Sequence, residues 1–223
     1  MASELIYNKV TEHYSAAVQT SGAAYGSAVA KTFGYSEKDL ADVPEGSNLG
    51  LSCGNPLALA SITKGEVVVD LGSGAGFDVF QAARRVGQAG KVIGVDMNKD
   101  MLAKANKIRS DTGATNVKFV EARITDMSAT LDSGIADCII SNCVVNLVPA
   151  DEKPLVFREM FRLLRPGGRV AVSDILARKT LPEKLRSDMA MYVGCIAGAS
   201  QVAEYEKFLK DAGFAGIPPT VNV

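Results

Sequence analysis

The chain has 223 residues, of which 47% are hydrophobic and 22% charged, so its length and composition fit one domain with an ordinary core. The net charge of -1 gives no attraction for nucleic acid. The sequence has neither the roughly 20-residue apolar run that crosses a bilayer nor a secretory signal pattern, so no membrane association is expected. Four cysteines without close pairing predict reduced thiols, no disulfide and a cytoplasmic protein, with a monomer as the default expectation.

The N-terminal part of the chain is predicted to be helical. Apolar residues recur at three- and four-residue spacings over 5–18, which is the period of an amphipathic helix. A second short helix is predicted at 27–33, and Ser36 with Asp39 forms a capping-box pattern that opens a further turn. A loop rich in Gly, Ser and Asn follows at 44–56.

Short apolar runs and helical patterns then alternate, which is typical of a parallel α/β sheet. Strands are predicted at 67–71, 91–96, 117–121, 136–141 and 169–173. Helices are predicted between them at 77–86, 99–113 and 152–164. Arg-Pro-Gly-Gly at 165–168 is predicted to end the last helix in a turn. The expected fold class is α/β, Rossmann-like, with a mostly parallel sheet.

The alternation ends after the fifth strand. Thr180 and Glu183 form a second capping-box pattern with a proline in the first turn, which predicts a helix over 182–197. Another helix is predicted at 201–212, and a sixth strand is predicted to begin at 220–223.

A glycine loop follows the first predicted strand. Gly72, Gly74 and Gly76 give G-x-G-x-G, where positive φ angles and missing side chains let a ligand approach the main chain. The dinucleotide fingerprint requires glycine where the chain has Phe77, which disfavours a nicotinamide oxidoreductase. With Asp70 just before the loop, the pattern resembles the first motif of class I S-adenosylmethionine-dependent methyltransferases. The cofactor that this resemblance implies carries a positively charged sulfonium and ammonium, which suits a carboxylate near the loop.

Other side chains are candidates for the same site. Asp96 ends the second strand, 22 residues after Gly74, where a carboxylate accepts the hydroxyls of an adenosyl ribose. Met97 packs on the adenine or belongs to the core, and Asp78 binds the cofactor or favours its own helix N-terminus. Ile124 and the end of the fourth strand match positions that line the site in such enzymes. The residues predicted to bind the cofactor are Asp70, Gly72, Ser73, Gly74, Gly76, Asp78, Asp96, Met97, Ile124, Asn142 and Cys143.

The four cysteines occupy different contexts. Cys138 lies inside an apolar strand and is predicted to be a core residue. Cys143 lies at the end of the same strand, near any bound cofactor, with buried packing as its favoured role. Cys53 lies in a glycine-bounded loop and Cys195 in the segment after the fifth strand. Two such thiols can hold a soft, thiophilic centre, and incidental cysteines are the alternative.

Seven segments together resemble arsenite methyltransferases, from about Tyr14 to Phe214. They are 48–56, 70–78, 92–97, 139–147, 164–169, 173–175 and 192–199. The resemblance implies that Cys53 and Cys195 are the catalytic thiolates that bind trivalent arsenic, with Cys143 as a weaker candidate. It also implies S-adenosylmethionine as the methyl donor, methylated arsenicals as detoxification products, and glutathione or thioredoxin as the reductant.

The chain departs from the pattern of this family at both ends. It lacks the N-terminal cysteines that many relatives carry, and it stops before the antiparallel seventh strand, so truncation is expected. The third arsenic ligand is therefore open between Cys143, a small thiol and the missing tail. We expect residues 1–55 to form a helical cap and substrate loop, 56–176 the cofactor-binding core, and 177–223 the arsenic-binding helical insertion with the end of the core.

The resemblance implies methyl transfer to the arsenic lone pair. Such a nucleophile carries no proton, so no general base is required, and His13 is predicted to be a surface or packing residue. One alternative is another small-molecule C- or O-methyltransferase, in which Cys53 and Cys195 would be dispensable. The other is a cofactor-binding metalloid sensor without turnover.

Overall fold

The computed structural model describes residues 3–20 and 23–216, which are built around a parallel sheet. Its strands are β1 (Val67–Leu71), β2 (Lys91–Asp96), β3 (Val117–Glu121), β4 (Ala136–Asn142) and β5 (Leu164–Ser173). They are ordered β3-β2-β1-β4-β5, and all pairings are parallel. The predicted Rossmann-like α/β fold is confirmed. The predicted strand at 220–223 lies outside the described residues.

This strand order creates a crevice at the C-terminal ends of β1 and β4. The chain passes from β1 outward to β2 and β3, and then returns to the other side of β1 for β4 and β5. Asp70 in β1 is therefore paired with Gly94 on one side and with Ile140 on the other. In open α/β sheets, ligands bind at such a topological switch point.

Within the part of the chain that the structure describes, four helices precede the sheet. They are α1 (Ser3–Thr20), α2 (Ala23–Thr32), α3 (Glu37–Ala41) and α4 (Pro56–Leu59). The capping box before α3 is confirmed, because Ser36 Oγ accepts from Asp39 N at 3.1 Å and the Asp39 carboxylate accepts from Ser36 N at 3.0 Å. The short helix α4 was not predicted. Asn55 caps it by accepting from Ala58 N at 3.1 Å, and a proline occupies its first turn.

Helices on the two faces of the sheet bury two apolar cores. The helices between the strands are α5 (Phe77–Val86), α6 (Lys99–Thr112) and α7 (Lys153–Leu163). Phe80 and Phe119 belong to the core under α5 and α6, whereas Phe157 and Met160 of α7 belong to the core on the other face. Each large apolar side chain buried in this way stabilises the fold by about 1.5–3 kcal/mol. None of the helices in the described ranges is long and apolar enough to cross a membrane.

The Arg-Pro-Gly-Gly segment at 165–168 was predicted to be a turn between a helix and a strand. This prediction was wrong, because β5 begins directly after α7 and includes the segment. Leu164 pairs with Ala136 and Arg169 pairs with Cys138, so four residues of β5 lie opposite one residue of β4. The segment is thus a bulge within the strand.

The predicted helix at 182–197 is wrong. The chain forms two short helices instead, α8 (Glu183–Arg186) and α9 (Met189–Val193). Asp188 starts the second by accepting from Ala190 N at 2.9 Å, which interrupts a continuous helix. The predicted capping box at Thr180 is also absent, because α8 has Pro182 at its N-cap and no side chain caps it. The Thr180 hydroxyl instead accepts from Gln201 Nε2 at 2.9 Å. The last described helix, α10 (Val202–Ala212), lies within one residue of its predicted start.

Candidate active site

The loop between β1 and α5 is shaped by glycines with positive φ angles. Gly72 has a φ of +72°, and a Cβ atom there would overlap the side chain of Val144. Gly74 has a φ of +52°, but a Cβ atom there would meet only the sulfur of Met101, at 3.8 Å. Gly74 therefore leaves open space beside the main chain, where a ligand can approach closely.

Three carboxylates surround this loop. Asp70 is 2% exposed, and burial together with the charges of Asp78 and Asp96 raises its pKa well above the usual range. Burial also raises the pKa of Asp78 and that of Asp96. A cationic ligand would favour the ionised form of each group, so this part of the site has the electrostatics of a cation-binding site.

Asp96 is held by the main chain on both sides. One of its carboxylate oxygens accepts from Gly74 N at 2.8 Å and the other accepts from Asn98 N at 2.8 Å. A carboxylate oxygen has two lone pairs, so each oxygen can accept one further hydrogen bond from a hydroxyl. This geometry is compatible with the predicted ribose role of Asp96, which stays a prediction.

A hydrogen-bond network joins Asp78 to the loop that contains Cys53. The Tyr35 hydroxyl donates to one oxygen of Asp78 at 2.7 Å, and Asn142 Nδ2 donates to the other at 3.0 Å. Asn142 Nδ2 also donates to the carbonyl of Gly54 at 3.1 Å, and its side-chain oxygen accepts from Cys53 N at 3.3 Å. Asn142 therefore fixes the Cys53 loop against the end of β4.

Three of the four cysteines meet at the end of β4. The sulfur atoms of Cys53, Cys143 and Cys195 all lie within 4.8 Å of one another. Cys53 and Cys143 form a disulfide with their Cα atoms 5.5 Å apart, across a sequence separation of 90 residues. The prediction of no disulfide was wrong, because the fold brings together two cysteines that lie far apart along the chain. Cys143 is buried and packed, as predicted, and it forms the disulfide in addition. Cys138 is fully buried in the core, as predicted.

Cys143 and Cys195 share an uncommon backbone conformation, with φ angles of +62° and +63°. Residues other than glycine adopt it at a cost, and they do so mainly where the surrounding structure enforces it. The Cys195 thiol donates to the Cys143 carbonyl at 2.9 Å and lies 3.9 Å from the hydroxyl of Tyr14. Burial, with a smaller effect of the Asp174 charge, raises the pKa of Cys195 to about 12, so its thiol is protonated near neutral pH.

A cleft opens beside these groups and is lined by the glycine loop, by the C-terminal ends of the strands and by residues of α1. All residues predicted to bind the cofactor line it except Gly76, which packs under the rings of Phe80 and Phe119. Cys53 and Cys195 do not line the cleft themselves. Cys143 does, so it connects the cleft to the cysteine cluster.

Sequence analysis missed the contribution of α1 to this cleft. One face of that helix supplies Tyr7, Val10, Thr11 and Tyr14 to the lining. Asn98 Nδ2 donates to the Thr11 carbonyl at 3.1 Å and so ties α1 to the start of α6. The spacing of these residues marks one helix face, but it does not tell what the face covers. His13 is exposed and makes an edge-to-face contact with the ring of Tyr14, which fits the predicted surface or packing role; it does not line the cleft.

Comparisons with known proteins agree with this geometry. The model of a family described as a methyltransferase domain matches residues 62–213. The arsenite methyltransferase of Halobacterium salinarum is 46% identical over 184 residues, which is 82% of this chain. That of Aquipseudomonas alcaligenes is 40% identical over 77% of this chain. The crystal structure of an arsenic(III) S-adenosylmethionine methyltransferase from Chlamydomonas reinhardtii aligns with a TM-score of 0.66 and 32% identity, over 86% of this chain.

The chain spans about half the length of the relatives that it matches. It covers 46% of the Halobacterium protein and 50% of the Aquipseudomonas protein, and 62% of the Chlamydomonas chain. The similarity therefore concerns only part of the length of these enzymes.

Proposed function

Because this chain belongs to the methyltransferase domain family, we propose that it transfers a methyl group from S-adenosylmethionine to trivalent arsenic. The observation that carries the proposal is the cluster of three cysteine sulfurs within 4.8 Å of one another, next to a cleft lined by carboxylates. Relatives named as arsenite methyltransferases support the same assignment.

The residues of the cleft fit the proposed cofactor. When bound, S-adenosylmethionine supplies an electrophilic methyl group on a positively charged sulfur. The open space at Gly74 accommodates a ligand against the main chain, and Asp96 has lone pairs free for ribose hydroxyls. Asp70 and Asp78 supply the negative charge that a sulfonium and an ammonium require. Ser73 Oγ is buried and has no partner among the described residues, so it offers one more polar contact.

The three cysteines are proposed to bind arsenic as thiolates. Each exchange forms a sulfur–arsenic bond, breaks an arsenic–hydroxyl bond and releases water that carries the thiol proton, so the high pKa of Cys195 does not prevent it. Three bonds to sulfur leave the arsenic lone pair free to attack a methyl group, and no general base is needed. Cys143 then becomes the third ligand that the sequence left open.

A thiol reductant is part of the proposal. Methylation takes the lone pair of arsenic, and returning the product to the trivalent state requires two electrons, which a pair of thiols supplies by forming a disulfide. Cys53 and Cys143 form such a disulfide in this structure, and it must be reduced before arsenic can bind to both sulfurs. Glutathione or thioredoxin is the proposed reductant, which suits a reducing, cytoplasmic environment.

The proposed functions divide along the chain. Residues 1–55 would carry the helical cap and the Cys53 loop, 56–176 the cofactor site, and 177–223 the segment with Cys195, of which 217–223 lie outside the described residues. We further propose that the protein acts as a monomer.

The test is mass-spectrometric speciation of arsenic after the protein is incubated with arsenite, glutathione and S-adenosylmethionine. Methylated arsenic is expected from the parent, and at least about a hundredfold less from Cys53→Ser, Cys143→Ser or Cys195→Ser, since each removes one sulfur from the cluster. Cys138→Ser is the matched control, because Cys138 is buried in the core at the other end of the same strand. Protein kept in its disulfide form without a reductant is expected to bind no arsenite.

Two results would contradict the proposal. Cofactor binding without methylated arsenic from the reduced parent would favour a C- or O-methyltransferase or a sensor. Full activity of all three cluster variants would show that the cysteines do not bind the substrate.

A further inference from the structure

Lys153 is a buried lysine in an unfavourable position. It is the first residue of α7, and only 2% of its surface is exposed. A lysine is rarely buried to this extent, and a cation in the first turn of a helix is opposed by the helix dipole. Burial lowers the pKa of Lys153 to about 8, although Asp174 and Glu204 oppose the effect. Because burial and the helix dipole both disfavour a charged lysine here, favourable contacts of its side chain must compensate.

The hydrogen bonds of Lys153 are directed at one segment. Its ammonium group donates to the carbonyl of Gly198 and, at 2.9 Å, to the hydroxyl of Ser200. Both acceptors are neutral oxygen atoms, and both lie in the segment that follows Cys195, residues 196–200. The segment has little freedom to move inward, because a Cβ atom on Gly198 would overlap the carbonyl of Asn146.

Asn146 holds Cys195, the residue that immediately precedes this segment. It is fully buried, and its Nδ2 donates to the carbonyl of Cys195 at 3.3 Å and to that of Ile175 at 2.7 Å. Two buried side chains therefore anchor the main chain on both sides of the Ile196 position. Cys195 itself has a φ of +63°, a strained conformation that persists only where the surroundings enforce it.

We propose that Lys153 is a positioning residue for Cys195: its contacts with Gly198 and Ser200 hold the 196–200 segment so that the Cys195 sulfur faces the other two sulfurs of the cluster. Lys153 forms no hydrogen bond with any of the three sulfurs, and its hydrogen bonds reach Cys195 through the backbone of the 196–200 segment. Its positive charge also opposes the rise in the pKa of the Cys195 thiol. The inference rests on the proposed function, because it concerns the third thiolate that would bind arsenic.

Two arsenical probes separate this role from a general structural one. Arsenite forms three bonds to sulfur, whereas phenylarsine oxide forms two, which Cys53 and Cys143 can supply alone after reduction. In equilibrium dialysis of the reduced protein, Lys153→Met is expected to weaken arsenite binding at least about tenfold. Binding of phenylarsine oxide and of S-adenosylhomocysteine should stay within about twofold of the parent. The matched control is Lys118→Met, at an exposed position on β3, which should change none of the three affinities.

A double-mutant cycle tests whether Lys153 acts through Cys195. In a Cys195→Ser background the third bond is already lost, so adding Lys153→Met should weaken arsenite binding no further. Ser200→Ala is the second variant; it removes one of the two acceptors while the lysine remains, and it should weaken arsenite binding several-fold. It decides the question if Lys153→Met does not fold.

The outcomes are distinguishable. A parent that binds no arsenite would overturn the proposed function, and the inference with it. A parent that binds arsenite with the same affinity as Lys153→Met would overturn the inference alone. Equal losses for all three ligands, or a further loss of arsenite binding in the Cys195→Ser background, would assign Lys153 a general structural role and would also overturn it.

Discussion

Tyr35 places a single hydroxyl group between the N-terminal helices and the carboxylates of the site. It is 3% exposed, and it donates to Asp78 at 2.7 Å. Asp78 has a second donor in Asn142, so the loss of Tyr35 would leave a buried carboxylate only half satisfied. A hydrogen bond to a charged group contributes about 1.5–3 kcal/mol, more than a bond between neutral groups.

Tyr35→Phe is therefore expected to lower the free energy of unfolding by about 1.5 kcal/mol, because it removes that donor and almost no volume. Urea unfolding of the reduced protein measures the change. Tyr25→Phe is the control, since Tyr25 is 65% exposed, and it should change the value by less than about 0.5 kcal/mol. Equal effects of the two substitutions would mean that the bond to Asp78 contributes nothing.

At the scale of elements, the loop between β1 and α5 contains two glycines that are required for different reasons. Gly72 is needed by the protein, because a side chain there would overlap Val144. Gly74 faces open space, so its lack of a side chain matters chiefly to a ligand. Both have positive φ angles, in which alanine costs about 1–2 kcal/mol.

Gly74→Ala is expected to lower stability by only about 1 kcal/mol but to weaken S-adenosylhomocysteine binding at least about tenfold, because its methyl group projects into the ligand space. Gly72→Ala should be the more destabilising of the two, since it adds the overlap with Val144 to the backbone strain. Thermal unfolding and titration calorimetry on both variants measure these effects. The reverse order of stabilities would contradict this description of the loop.

At the scale of the whole molecule, one ion pair ties the sheet to the segment that leads into it. Arg169 in β5 donates to both oxygens of Glu66, at 2.8 and 2.9 Å, and to the carbonyl of Ala60 at 2.6 Å. The hydrogen bonds from Arg169 lower the pKa of Glu66 to about 2 from an ordinary value of 4.5. The contribution of this carboxylate to stability is therefore complete above about pH 4.5 and is lost as the pH falls through about 2.

Glu66→Gln is expected to destabilise the protein by about 1 kcal/mol at pH 7, a modest value because Arg169 is partly exposed to solvent. The difference from the parent should shrink as the pH falls from 4.5 towards 2, where the parent loses the same charge. Denaturant unfolding over this pH range measures it. A difference that persists at the lowest pH would mean that the charge of Glu66 is not what stabilises the fold.

The alternation of apolar runs and helices along the chain was enough to predict the sheet and the helices between its strands. Strands such as β1 and β2 match the predicted bounds, because their signals are local: a short apolar run between glycines and polar residues. The glycine loop and Asp96 could be predicted for the same reason. The helix at 182–197 could not, because the side chain of Asp188 competes for the backbone and the Tyr192 hydroxyl donates to the Val148 carbonyl at 2.9 Å.

The sequence by itself determined the fold class and the part of the cleft formed by the glycine loop and the end of β2, since each follows from neighbours along the chain. That one face of α1 covers the same cleft was decided only by the tertiary structure. Only the tertiary structure decided that Cys143 joins Cys53 and Cys195, because the three come from different loops and two of them adopt backbone conformations that no local pattern indicates. It alone decided the roles of Tyr35 and Lys153 as well. Their contacts cross 43 residues to Asp78 and 47 residues to Ser200, and such pairings arise only when the elements pack.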